Sequence, residues 1–326
     1  MLITAAGSFP GDDFRGALTA MTELLPEVLP FPELPARGVG SDMTGRALGI
    51  IDGLGFDIQP AGWRLTTASG ADHIRARAQW RRDLDDAEEL LHGFEGVLKI
   101  ALAGPWTLAV TVERPRGDRV LADHGARREL AQALAEGWSQ IRSDLRRRFP
   151  SAKVLLQLDE PALMAVGEGG IPTASGFGKH RRIEVPELVE AMKPFAENAW
   201  LHCCAPGAWL PVAKRAGFAT AAIDTRLFRE TAQLDALAQW AQAGRGLALG
   251  VVGTAAGRPQ GIDELVRETL RVLKPLELPA SSIESGVLLT TACGLASWKV
   301  SDVLDQLAAL RRAAALTTET LHQNSP

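Results

Sequence analysis

The stretch LHCCAPGAWL, residues 201–210, sets His202 beside two of the chain's three cysteines, Cys203 and Cys204. On an extended strand successive side chains alternate, so His202 and Cys204 share one face and Cys203 turns to the other. An imidazole and a thiol on one face are zinc-ligand types, and the third cysteine, Cys293 in LLTTACGLAS, offers a second thiol. Asp224 in TAAIDTRL adds a carboxylate. Together His202, Cys204, Asp224 and Cys293 make a tetrahedral set for Zn2+. An ion with two thiolate ligands is electron-rich and activates water poorly. It suits a different task, binding an incoming thiol and keeping it ionised near neutral pH. That is the chemistry of alkyl transfer to sulfur. The competing reading is structural: His202 and Cys204 pack in a core, Cys293 is buried and inert, and Asp224 caps the next helix.

These residues converge only if the elements carrying them do. Short, mostly apolar runs recur at 2–10, 62–69, 97–105, 153–161, 199–205, 219–225, 247–254 and 286–294. Most are continuously apolar rather than alternating, as expected of parallel strands covered on both faces. Amphipathic helical patterns lie between them, the longest being AQWRRDLDDAEELLHGF and ARRELAQALAEGWSQIRSDLRRRF. Eight strands alternating with helices predict an α/β fold, a single (β/α)8 TIM barrel spanning 1–326 with its active site on the C-terminal face. An open doubly wound sheet is the alternative. In the barrel, Asp224 and Cys293 both close a strand at the same mouth as His202 and Cys204. The Gly-rich, basic segment 166–186 is too long for an ordinary turn and reads as a lid or a solvated loop. Segment 113–125 is a weaker case of the same kind, and the tail HQNSP is expected to fray.

Composition narrows the partners. Of 326 residues, 46% are hydrophobic and 23% charged, ample for a large core. A net charge of −4 argues against nucleic acid or an anionic membrane as the main partner. Three cysteines make no disulfide framework and fit a reducing compartment. No secretory signal or spanning-length apolar run is visible, so the expected location is cytoplasmic. With no tyrosine, no phenol can serve as a general acid.

Several motifs in order resemble the catalytic C-terminal half of cobalamin-independent methionine synthase, within the group that includes uroporphyrinogen decarboxylase. They are GSFP (7–10), LAGPWTL (102–108), QLDEPAL (157–163), HCC (202–204), IDT (223–225) and ACGL (292–295). The resemblance covers most of the chain. It implies a zinc-dependent methyltransferase of methionine biosynthesis that converts homocysteine to methionine. It makes His202, Cys204 and Cys293 zinc ligands, with Asp224 where the family usually has glutamate. Asp159 would pair with the substrate ammonium, and Ser8 would help seat the amino acid, with Phe9, Trp106 and Thr107 lining the pocket. Trp106 reads equally as a core residue, and of Asp159 and Glu160 only one need face the mouth.

Two departures bear on the methyl donor. The family enzyme carries a second, N-terminal barrel that this chain lacks. It also has Asp-x-His after Gly-Val-Val, where GVVGTAAG (250–257) puts Gly253 and Ala255. Without that histidine, transfer from a poor leaving group loses general-acid assistance of about 10²–10⁴ in rate. His180, in the 166–186 segment, is the candidate substitute. The methyl donor is left open, a methyltetrahydrofolate, a methylated corrinoid protein and a sulfonium being the options. Two alternatives stand beside this reading: methylation of another small thiol, as in coenzyme M methyltransferases, and a zinc- or thiol-binding barrel without turnover.

Overall fold

The computed structural model describes residues 1–255 and 257–323. Its strands in chain order are β1 (Leu2–Ile3), β2 (Val28–Pro30), β3 (Gly55–Gln59), β4 (Gly62–Thr66), β5 (Val97–Ala103), β6 (Lys153–Asp159), β7 (Trp200–Cys203), β8 (Thr220–Asp224), β9 (Gly246–Val252) and β10 (Val287–Thr291). Eight of them form one parallel sheet in the order β1-β10-β9-β8-β7-β6-β5-β2. The two ends meet just past β1 and β2. Ser8 bridges Glu33 in parallel, the Phe9 N–H donates to Glu33 O at 2.9 Å, and the Glu33 N–H donates to Gly7 O at 3.1 Å. The result is a nearly closed (β/α)8 barrel.

The expected helices occupy its outside, among them Ala71–Leu90, His124–Arg148, Val185–Met192, Leu210–Ala216, Thr231–Gln242, Ile262–Leu273 and Val300–Gln323. The longest starts cleanly because the Asp123 carboxylate accepts from the Ala126 N–H at 2.9 Å. Inside, Val28, Leu155, Trp200, Ala222 and Ala248 fill the lower barrel. That plug leaves the C-terminal strand ends as the place for chemistry.

One expected strand is misplaced. Residues 62–69 do not supply a barrel strand: Gly62–Thr66 fold back antiparallel on Gly55–Gln59 and form a separate hairpin. The barrel strand at that point is Val28–Pro30, too short and too close to Pro26, Pro30 and Pro32 to show a period. The segment 166–186 is not free of its surroundings. Pro172 bridges Lys179, the Arg119 side chain donates to Pro172 O at 3.3 Å, and the Ala174 N–H donates to the Asp118 carboxylate at 3.2 Å. Of the tail HQNSP, His322 and Gln323 continue the last helix, and 324–326 lie outside the described residues. Among the described residues no helix is long and apolar enough to cross a membrane.

Candidate active site

Strands β6 and β7 are in register at Asp159 and His202. Both side chains are buried, with His202 Nδ1 2.8 Å from Asp159 Oδ1 and Nε2 3.1 Å from Ala292 O. A carboxylate and a carbonyl only accept hydrogen bonds, so this geometry favours a proton on each ring nitrogen. Burial alone would lower the pKa of His202, but the hydrogen bond and charge of Asp159 outweigh it and hold it above the ordinary histidine value.

Cys204 sits one residue past β7 and Cys293 two past β10, and their sulfurs are 3.6 Å apart. The Cys204 thiol donates to Cys293. That hydrogen bond, reinforced by the nearby His202 charge, overcomes burial and brings Cys293 down to about 6. Donating to Cys293 pushes Cys204 the other way. Cys203 is fully buried in the outer core, and burial pushes it up to about 12. The alternation expected of 202–204 therefore separates one packing cysteine from one that meets Cys293. In chelator-treated protein, iodoacetamide should label Cys293 first, at a rate holding down to about pH 6 and falling below it. A profile that climbs only towards pH 9 would contradict the shared proton.

The donor set can be tested against zinc residue by residue. Two sulfurs bound at about 2.3 Å to a tetrahedral ion lie about 3.8 Å apart, and the pair here is at 3.6 Å. His202 carries the Nδ1–carboxylate contact that commonly orients a zinc-bound histidine. Asp224, the last residue of β8, does not fit as it stands. Its two oxygens accept from Arg226 Nε at 2.9 Å and Nη2 at 2.7 Å, and Oδ1 also takes the Arg226 N–H. Among the described residues no three His, Cys, Asp or Glu side chains are yet placed to hold one ion. His202 Nε2 would have to leave Ala292 O to join the sulfurs.

The other expected residues are placed as follows. Ser8 donates to Glu33 Oε1 at 2.6 Å, and it packs so closely on Gly294 that a Cβ there would lie 2.6 Å from the Ser8 Cβ. Only glycine lets Ser8 approach the Cys293 loop in this way. Phe9 is a core residue. Trp106 and Thr107 start a short helix, Pro105–Thr111, whose N–H groups are taken by the fully buried Glu160. Trp106 points its indole N–H to Leu188 O at 3.0 Å, towards the helix layer, and Thr107 Oγ1 donates to Glu160. His180 Nε2 lies 3.2 Å from the Asp118 carboxylate, and among the described residues no hydrogen bond or ion pair joins it to the sulfurs.

Three polar residues escaped sequence reasoning. Lys99 is fully buried, donates to Ala6 O at 2.9 Å and to Gln157 Oε1, and is brought down to about 7 by burial. Gln157 in turn donates to Asp159 Oδ1 at 2.8 Å. Glu33 is pushed up to about 7 by burial, against the pull of Arg46. A signal existed: a lysine and a glutamine inside the apolar runs VLKIALAG and KVLLQLDEP are charges and dipoles that need buried partners.

No family model and no curated protein matches the chain by sequence. By structure it is similar to a B12-independent methionine synthase from Shewanella sp. W3-18-1, solved in complex with selenomethionine. The TM-score is 0.63 and the identity 13%, over 98% of each chain. A GH20 beta-N-acetylhexosaminidase from Streptomyces coelicolor A3(2) matches at a TM-score of 0.31 and 12% identity, over 74% of this chain and 60% of that one. At 13% identity the first likeness establishes the shared fold along the full length: eight parallel strands and their helices closed into a TIM-like barrel.

Proposed function

We propose that the chain is an S-methyltransferase of the methionine-synthase type, methylating the thiol of homocysteine with a zinc ion held by His202, Cys204 and Cys293. The observation that carries this reading is the Cys204–Cys293 pair, two thiols from strand ends remote in sequence at 3.6 Å, beside the His202–Asp159 contact. The full-length likeness to a methionine synthase that holds an amino acid supports it. When bound, zinc would keep the acceptor sulfur ionised.

The protein's own groups do the rest. Asp159 spends Oδ1 on His202 and Gln157, and no hydrogen bond among the described residues involves Oδ2, which is left for the substrate ammonium. Glu33, held by Ser8, is a second carboxylate on the same rim. Gly253 and Ala255 bring no proton donor to the end of β9, so the donor's leaving group must depart without an imidazole from there. This favours donors that leave readily, a corrinoid protein or a sulfonium, over a methyltetrahydrofolate.

The test is a metal analysis joined to a donor screen. Purified protein should carry zinc and form methionine from homocysteine with one of 5-methyltetrahydrofolate, methylcobalamin or a methylsulfonium. Methylation of 2-mercaptoethanesulfonate instead would move the reading to coenzyme M chemistry. A metal-free protein inactive with every donor would refute it. A second reading, a zinc- or thiol-binding barrel without turnover, is favoured by the engagement of Asp224 with Arg226, and zinc without methyl transfer would support it.

A further inference from the structure

We propose that the arginine-lined cavity outside the ends of β8 and β9 is an oxyanion site that takes a carboxylate or phosphate group of the second substrate. The cavity, about 310 Å³, is lined by Arg226, Arg229, Arg267 and Arg271 against Glu264 and Glu268. Four guanidinium groups outnumber two carboxylates, so its field is positive although the chain as a whole is acidic.

The two acidic residues are already engaged. Glu268 faces Arg271 at 2.7 Å and Arg229 at 3.6 Å, and Glu264 accepts from Gln260 at 2.7 Å. Arg271 also donates to Thr225 O and Phe228 O, which makes it part of the wall. The Arg267 side chain is exposed and makes no hydrogen bond or ion pair among the described residues. Arg226 gives Nε and Nη2 to Asp224, and no hydrogen bond among the described residues involves Nη1. Of the five N–H donors in its fork, three therefore remain for a ligand.

The placement of that fork depends on Gly253. A Cβ at position 253 would lie 2.5 Å from Arg226 Nη1 and 3.2 Å from Cζ, so glycine is what lets the guanidinium lie across the end of β9. A side chain there would push it aside. The Asp224 contact aims the same group from the other side and joins the cavity to the barrel mouth. A planar fork fixed at one edge and open at the other is the arrangement that grips an oxyanion through two parallel N–H bonds. Only the assignment of that anion to the methyl donor rests on the function proposed above.

The experiment is a calorimetric titration of metal-free protein at low ionic strength with inorganic phosphate and, separately, with glutarate. It uses neither metal nor thiol, so its failure and that of the methyltransferase reading are separable. Saturable binding of at least one anion is expected, weakened about tenfold or more by Arg226→Met and by Arg267→Met. Gly253→Ala, which keeps every charge and displaces the fork, should weaken it as well. Arg128→Met, on the helix His124–Arg148, should not. Tighter phosphate indicates a phosphorylated donor and tighter glutarate a carboxylate-bearing one. No saturation with either anion, or affinity unchanged from the parent protein in both Arg226→Met and Arg267→Met, would overturn the proposal.

Discussion

Replacing Cys204 or Cys293 with serine is expected to abolish zinc retention and methyl transfer together. Each thiolate contributes one of three zinc bonds in the proposed set, and a serine hydroxyl does not ionise to replace it near neutral pH. Bound zinc should fall from about one equivalent per chain to a small fraction of that, measured by elemental analysis after dialysis. Cys203→Ala is the control, since that side chain is buried in the outer core and should leave zinc unchanged. Full zinc in both serine variants would show that the ion sits elsewhere. Loss of zinc in Cys203→Ala alone would mean that the face assignment along 202–204 is wrong.

The second large effect concerns stability. Glu160 is fully buried and accepts from the Trp106 N–H at 2.9 Å, the Thr107 N–H at 2.7 Å and Thr107 Oγ1 at 2.7 Å. Glu160→Ala would orphan all three donors at once, and a loss of about 3–5 kcal/mol in urea unfolding is expected. Glu160→Gln should lose less, because an amide oxygen still accepts. The pH dependence has a definite sign. Burial raises this carboxyl from 4.5 to about 7, against its hydrogen bonds, so its favourable contribution is complete below about 4.5 and is lost as pH rises through about 7. Glu160→Gln should flatten that part of the stability profile, and an unchanged slope would show that the carboxyl titrates normally.

The barrel was legible because parallel strands buried on both faces read as apolar runs, and seven of the eight did so. The eighth, Val28–Pro30, is three residues among prolines and carries no period at all. GWRLT displaced it in the reading because its composition is that of a strand, which it is, in a hairpin closed at Pro60 and Ala61. At the site, period-two alternation sufficed to send Cys203 to the core and leave Cys204 for Cys293. Asp224 illustrates the limit of that rule. Its position at a strand end was foreseeable, but its engagement depends on Arg226, two residues on, folding back over it. A local salt bridge of this kind has no periodic signature. Glu33 was hidden for another reason: it belongs to the site only because the ends of the sheet meet there.

That junction has a mechanical consequence. A barrel behaves as a hoop, and this one is fastened between its shortest staves, β1 with two residues and β2 with three. The clasp is made by Gly7–Phe9 and Glu33, so the residues proposed to meet an amino acid are also the ones that keep the hoop shut. A ligand gripping Ser8 or Glu33 would add its binding free energy to closure, tightening the whole circumference by mass action.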